Sequence, residues 1–134
     1  MNFNSQICTT KEQSERLLAL GLKKETADCV MMYYDGWHIG EAEHFDFDED
    51  PVEPAWSLHR LIEMMPNKIR TCDSSASLIV SNEKVQYYLH DVEYSDYLTG
   101  AGRWKSGNIY DNIIDCIGWL IIEGLFNKDY LEEL

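Results

Sequence analysis

Residues 109–126 read IYDNIIDCIGWLIIEGLF, and their placement decides the fold. At the helical period, Ile109, Tyr110, Ile113, Ile114, Ile117, Leu120 and Ile121 cover most of the circumference. Asp111, Asp115, Gly118 and Asn112 leave only a narrow polar stripe. A helix this apolar belongs beneath other elements, so the spacing predicts a buried helix with Ile117 and Trp119 turned inward. Asn108 suits its N-cap and Gly124 its stop. Its longest apolar run, CIGWLII, falls far short of the roughly 20 residues that span a bilayer.

The partner for such a helix stands just upstream. ASLIVS (76–81) and KVQYYLHDV (84–92) are rich in strand-forming residues, with Asn82-Glu83 between them as a hairpin turn. IRT (69–71) adds a third strand. YSDYLTGAGRWKSGN (94–108), broken by Gly100, Gly102 and Gly107, reads as a loop.

Two more helices precede the strands. In TTKEQSERLLALGL (9–22), Thr10 and Gln13 make a capping box and Glu12 faces Arg16. Leu17, Leu18 and Leu20 point to a core, Gly21 supplies the left-handed stop, and Leu22 folds back over it. In PAWSLHRLIEMMP (54–66), Ser57 or the residues just before it can cap, Leu58, Leu61, Ile62 and Met65 share a face, and Pro66 ends the helix. Between them, ETADCVMMYYDG (25–36) reads as a short helix capped by Thr26, then a turn at Asp35-Gly36. WHIGEAEHFDFDED (37–50) alternates, with Phe45 and Phe47 opposite His44, Asp46 and Asp48. That pattern predicts a half-buried strand or hairpin, stopped by Pro51 and Pro54. The whole predicts an α+β fold, three main helices packed with a small antiparallel β-sheet, in a single globular domain over 1–134.

The formal charge is −13. No Lys or Arg falls between Lys24 and Arg60, while that gap holds ten carboxylates. So acidic a chain does not suit direct nucleic-acid binding or an anionic membrane surface, since both depend on Lys and Arg. It suits a basic protein partner. The candidate face is EAEHFDFDEDPVEP (41–54), with Glu41, Glu43, Asp46, Asp48, Glu49, Asp50 and Glu53. One form of that reading is nucleic-acid mimicry, in which carboxylates occupy a basic groove; a solvated loop is the plainer alternative. Asp46, Asp48 and Asp50 invite a calcium reading, but a calcium loop needs Gly and Glu where Pro51 and Ser57 stand. A looser cation site, or His44 with Asp46, remains open.

A second class of function would use Tyr87, His90, Tyr97, Arg103 and Trp104 as a small-ligand or catalytic region, with a divalent ion at His90, Asp91 and Glu93. LTGAGRWKSGN lacks the phosphate-loop spacing, and no GxSxG elbow occurs, so no catalytic residue is assigned. Cys8, Cys29, Cys72 and Cys116 are dispersed and read as reduced thiols. No metal or cofactor is expected. The opening MNFNSQICTT lacks the pattern of a secretory leader, and a cytoplasmic location is expected.

LLALGLKKETADCVMMYY, PAWSLHRLIEMMP and WLIIEGL together resemble a group of small uncharacterised proteins from gut anaerobic bacteria, carried on prophages and other mobile elements. The group has no assigned activity. The resemblance implies a helix ending in LGL, a T-A-D segment, a PAWSL helix, a short sheet and a final W-L helix. It carries over no functional residue.

Overall fold

The structure is a computed structural model and describes residues 5–70, 75–89, 103–105 and 107–133. The fold class is α+β. The chain divides into two units: Met1–Glu63 with Lys128–Leu134, and Met64–Asn127.

In the first unit, α1 spans Lys11–Ala19. Thr10 caps it, and the reciprocal bonds with Gln13 complete the capping box. At its other end Leu22 N–H bonds Leu17 O and Gly21 N–H bonds Leu18 O, with Gly21 at φ 102. That is the Schellman stop the sequence predicts, and both Leu17 and Leu22 are buried. The packed face differs from expectation: Leu18 is exposed, while Gln13 and Ser14 are buried. Ser14 can turn inward because its hydroxyl pairs with that of Thr9 at 2.8 Å.

The expected helix after Thr26 is a strand. A single 3₁₀ turn covers Lys24–Thr26, and β1 runs Cys29–Tyr33. It forms an antiparallel hairpin with β2, Trp37–Glu41. Positive φ at Asp35 (51) and Gly36 (111) makes the tight reversal, and that turn brings 29–33 and 37–41 into register. β3, Glu53–Ala55, pairs with the other side of β1, giving the order β2-β1-β3. Pro54 sits inside β3 rather than stopping it, which an edge strand tolerates. The alternation over 45–48 is real in burial, since Phe45 and Phe47 are half-buried and Asp46 and Asp48 exposed, but the backbone there forms turns.

α2 spans Leu58–Met64, with Ser57 Oγ accepting from Arg60 N–H at 3.1 Å as its cap. The end of the chain returns to this unit. Lys23 N–H bonds Tyr130 O at 2.9 Å and Glu132 N–H bonds Gly21 O at 2.7 Å.

In the second unit, β4 (Lys68–Arg70), β5 (Ser75–Val80), β6 (Val85–Leu89) and β7 (Arg103–Trp104) form an antiparallel sheet in that order. The strands thus divide between two sheets, and Arg103–Trp104 is strand rather than loop. α3 spans Ile109–Ile122 and lies against β6 and β7. Asn108 caps it and Gly124, at φ 72, closes it. Ile113, Ile114, Ile117 and Leu120 are buried. Trp119 is half-buried, lying 5.4 Å from the Trp104 ring and 6.2 Å from that of Tyr87. Asn112 is not on the polar stripe. It is fully buried, accepting from Gly107 N–H at 3.0 Å and donating to Gly107 O at 3.2 Å. No helix among the described residues is long and apolar enough to cross a membrane.

Candidate functional site

The T-A-D and PAWSL segments meet. The Trp56 indole N–H donates to Thr26 Oγ1 at 3.0 Å. The Asp28 carboxylate accepts from Ser57 N–H at 2.8 Å and from the Ser57 hydroxyl. Arg60 Nε donates to Thr26 O at 2.8 Å. These bonds fix the segment 25–28 beside the start of α2.

Opposite stand the end of β2 and the 3₁₀ turn Ala42–His44, held by Ala42 N–H to Asp28 O at 3.0 Å. Between the two walls is an open cleft of about 660 Å³. Glu25, Asp28, Glu41, Glu43 and Glu63 line it with Phe45 and Phe47. Among the described residues Arg60 is the one cation in its wall, and Arg60 Nη1 already donates to Glu63 Oε1 at 3.0 Å. Asp28 is held by Ser57. Glu25, Glu41 and Glu43 have no lysine or arginine in salt-bridge range among the described residues.

The seven acidic residues singled out in the sequence therefore do different things. Glu41 and Glu43 border the cleft. Asp46, Asp48 and Asp50 build a turn: Asp46 Oδ1 accepts from Asp48 N–H at 2.8 Å, and Asp50 Oδ2 from Asp46 N–H at 2.7 Å. Asp48 also takes Lys24 Nζ at 2.7 Å. Glu49 is exposed and Glu53 half-buried in β3. Sequence reading missed Glu25, Asp28 and Glu63, which are distant in the chain and join the cleft only through the fold. The T-A-D and PAWSL pattern was the available signal.

His44 lies with Glu41 (3.4 Å) and Glu43 (3.6 Å), not with Asp46 as the sequence suggested. Among the described residues these three could offer ligand atoms to one divalent cation, and all are exposed.

Of the alternative ligand region, Tyr87 is fully buried and donates its hydroxyl to Pro66 O at 2.8 Å. Its pKa is raised, chiefly by burial and then by Cys116. Trp104 packs on Trp119. Arg103 pairs with Gln86 in the ladder. His90, Tyr97, Asp91 and Glu93 lie outside the described residues, as does Cys72.

Cys8, Cys29 and Cys116 are free. Burial pushes the Cys29 thiol up to about 12, helped by the Asp28 charge. Cys8 is raised by burial and then by Asp28, and Cys116 by burial and then by Asp115. Thiols held protonated are poor nucleophiles at neutral pH.

No family model, curated protein or solved structure matches this chain.

Proposed function

We propose that this protein is a cytoplasmic, non-catalytic interaction module whose cleft receives Lys or Arg side chains from a basic protein partner. The resemblance to proteins of gut anaerobes and their mobile elements belongs to the same proposal. The observation that carries the reading is the charge of the cleft wall: among the described residues, five carboxylates against one arginine that is itself engaged. Phe45 and Phe47 add ring surface, to which a cation is attracted when it loses water. Steering by the remaining negative charge raises the encounter rate of a basic partner. A concave site favours insertion of side chains over nucleic-acid mimicry. Asp46 and Asp50 turn carboxylate oxygens onto backbone amides, so they do not offer a regular phosphate-like array.

The test compares two neutralised proteins. Isothermal titration with oligo-arginine is run on the wild type, on Glu41→Gln with Glu43→Gln, and on a control with Asp35→Asn and Glu15→Gln, which lie outside the cleft. The cleft variant should lose binding that the control keeps, at equal net charge. Equal loss in both would reduce the effect to overall acidity and overturn the reading.

A further inference from the structure

We propose that the free edge of β2 receives an extended segment of the basic partner as an additional antiparallel strand; this rests on the cleft reading and adds a mode of binding to it.

The ladder shows which backbone groups are unused. Tyr34 N–H bonds Gly36 O and Ala42 N–H bonds Asp28 O, one at each end of the β1–β2 hairpin. Bonded and non-bonded pairs alternate in an antiparallel ladder. In the register Met32↔His38 and Val30↔Gly40, His38 and Gly40 therefore bond to β1. Trp37, Ile39 and Glu41 then direct their N–H and C=O groups away from β1. β2 is an edge in the order β2-β1-β3, and no described backbone group bonds to that edge.

Edge strands are normally blunted by lysine, proline or a bulge. Residues Trp37–Glu41 contain no lysine and no proline, and the register runs without a bulge. The side chains on that face are also unusual for an edge, since Trp37 is 52% and Ile39 49% exposed. Tyr33 meets Trp37 edge-on at 5.3 Å and extends the apolar surface. Backbone groups plus alternate apolar side chains are what strand addition uses for affinity and specificity.

Charge decides the occupant. β2 ends at Glu41, which lies in the wall of the cleft with Glu43. A strand added antiparallel begins opposite Glu41, so lysines at its N-terminal end lie beside the cleft carboxylates. A second copy of this chain would instead bring a like charge of −13.

The probe is a synthetic peptide of alternating valine and threonine led by lysines at its N-terminus. It is compared with the same peptide with the lysines at its C-terminus, and with one N-methylated on alternate residues. Titration calorimetry reads affinity, and amide hydrogen exchange reads Trp37, Ile39 and Glu41. The lysine-led peptide should bind best and slow exchange at those three amides. N-methylation on the bonding side should weaken it by about tenfold or more, as expected for losing two or three net hydrogen bonds. Ile39→Pro removes an outward N–H while sparing the β1 ladder, and should do the same. If that variant fails to fold, the N-methylated peptide on the wild type decides the matter alone. Unchanged affinity for the N-methylated peptide overturns strand addition, whereas the cleft reading stands if Glu41→Gln with Glu43→Gln still weakens binding. Protection of the Ile39 amide in a dimer without peptide would make the occupant a second copy and also overturn the proposal.

Discussion

The indole N–H of Trp56 reaches the hydroxyl of Thr26, 30 residues earlier, at 3.0 Å, and that hydroxyl in turn donates to Lys23 O at 2.6 Å. Trp56 is fully buried. The bond therefore settles a polar atom in an apolar place and also fixes one wall of the cleft. Thr26→Val keeps the shape and removes both bonds. Leaving the indole unsatisfied should cost about 1–3 kcal/mol, read as a lower urea midpoint with unchanged slope.

Ile117 and Ile122 lie on opposite sides of α3, the first fully buried and the second 83% exposed. Ile117→Ala should cost about 2–5 kcal/mol through lost burial and the cavity it leaves. Ile122→Ala should stay within about 0.5 kcal/mol. Similar losses at both sites would mean that α3 does not present the face described.

The buried amide of Asn112 binds both backbone groups of Gly107. Asn112→Asp retains an acceptor for Gly107 N–H but loses the donor to Gly107 O and buries a charge. It should therefore destabilise more at neutral pH than in acid, where the carboxyl regains a proton. Thermal melts at the two pH values check the sign.

Cys29 has its thiol pKa raised from 9.0 to about 12 in the folded protein. Its contribution is fully present below pH 9.0 and is lost as pH rises toward about 12, because the unfolded thiol ionises first. Cys29→Ser should flatten the alkaline part of the stability–pH curve. In the native protein, Cys8, Cys29 and Cys116 should react slowly with thiol reagents at neutral pH and quickly once unfolded.

Asp46 fastens its turn through an acceptor oxygen that Asn also carries. Asp46→Asn should leave the turn intact, and Asp46→Ala should cost about 0.5–1.5 kcal/mol and speed amide exchange at Asp48. Equal effects would assign the role to charge rather than to hydrogen bonding. Asp48→Asn removes only an exposed, solvent-screened pair with Lys24 and should leave the urea midpoint nearly unchanged.

Local signals were legible where side chain and backbone bond within a few residues. Thr10 with Gln13, the stops at Gly21 and Gly124, Ser57 and Asn108 all act at that range. The strand at 29–33 was not, because Met31 and Met32 also suit a helix and only the Asp35-Gly36 turn argued otherwise. Asn112 looked polar and therefore exposed, since nothing in its own helix shows that Gly107 supplies its partners. Glu41 and Glu43 were visible as charge. Their association with Glu25, Asp28 and Glu63 was not, because it depends on bonds between Thr26 and Trp56 and between Asp28 and Ser57.

The pairing of Leu22 with Leu131 has a consequence for biosynthesis. Translation delivers the whole of Met64–Asn127 before it delivers the segment that bonds Lys23 and Gly21. The middle of the chain thus has all its own contacts available while the first unit still lacks the bonds that Tyr130 and Glu132 supply. Once that middle part has folded, it also shortens the effective loop between Leu22 and Leu131, lowering the entropy lost on closure. The order of emergence from the ribosome is therefore the reverse of the order in which the two units become complete.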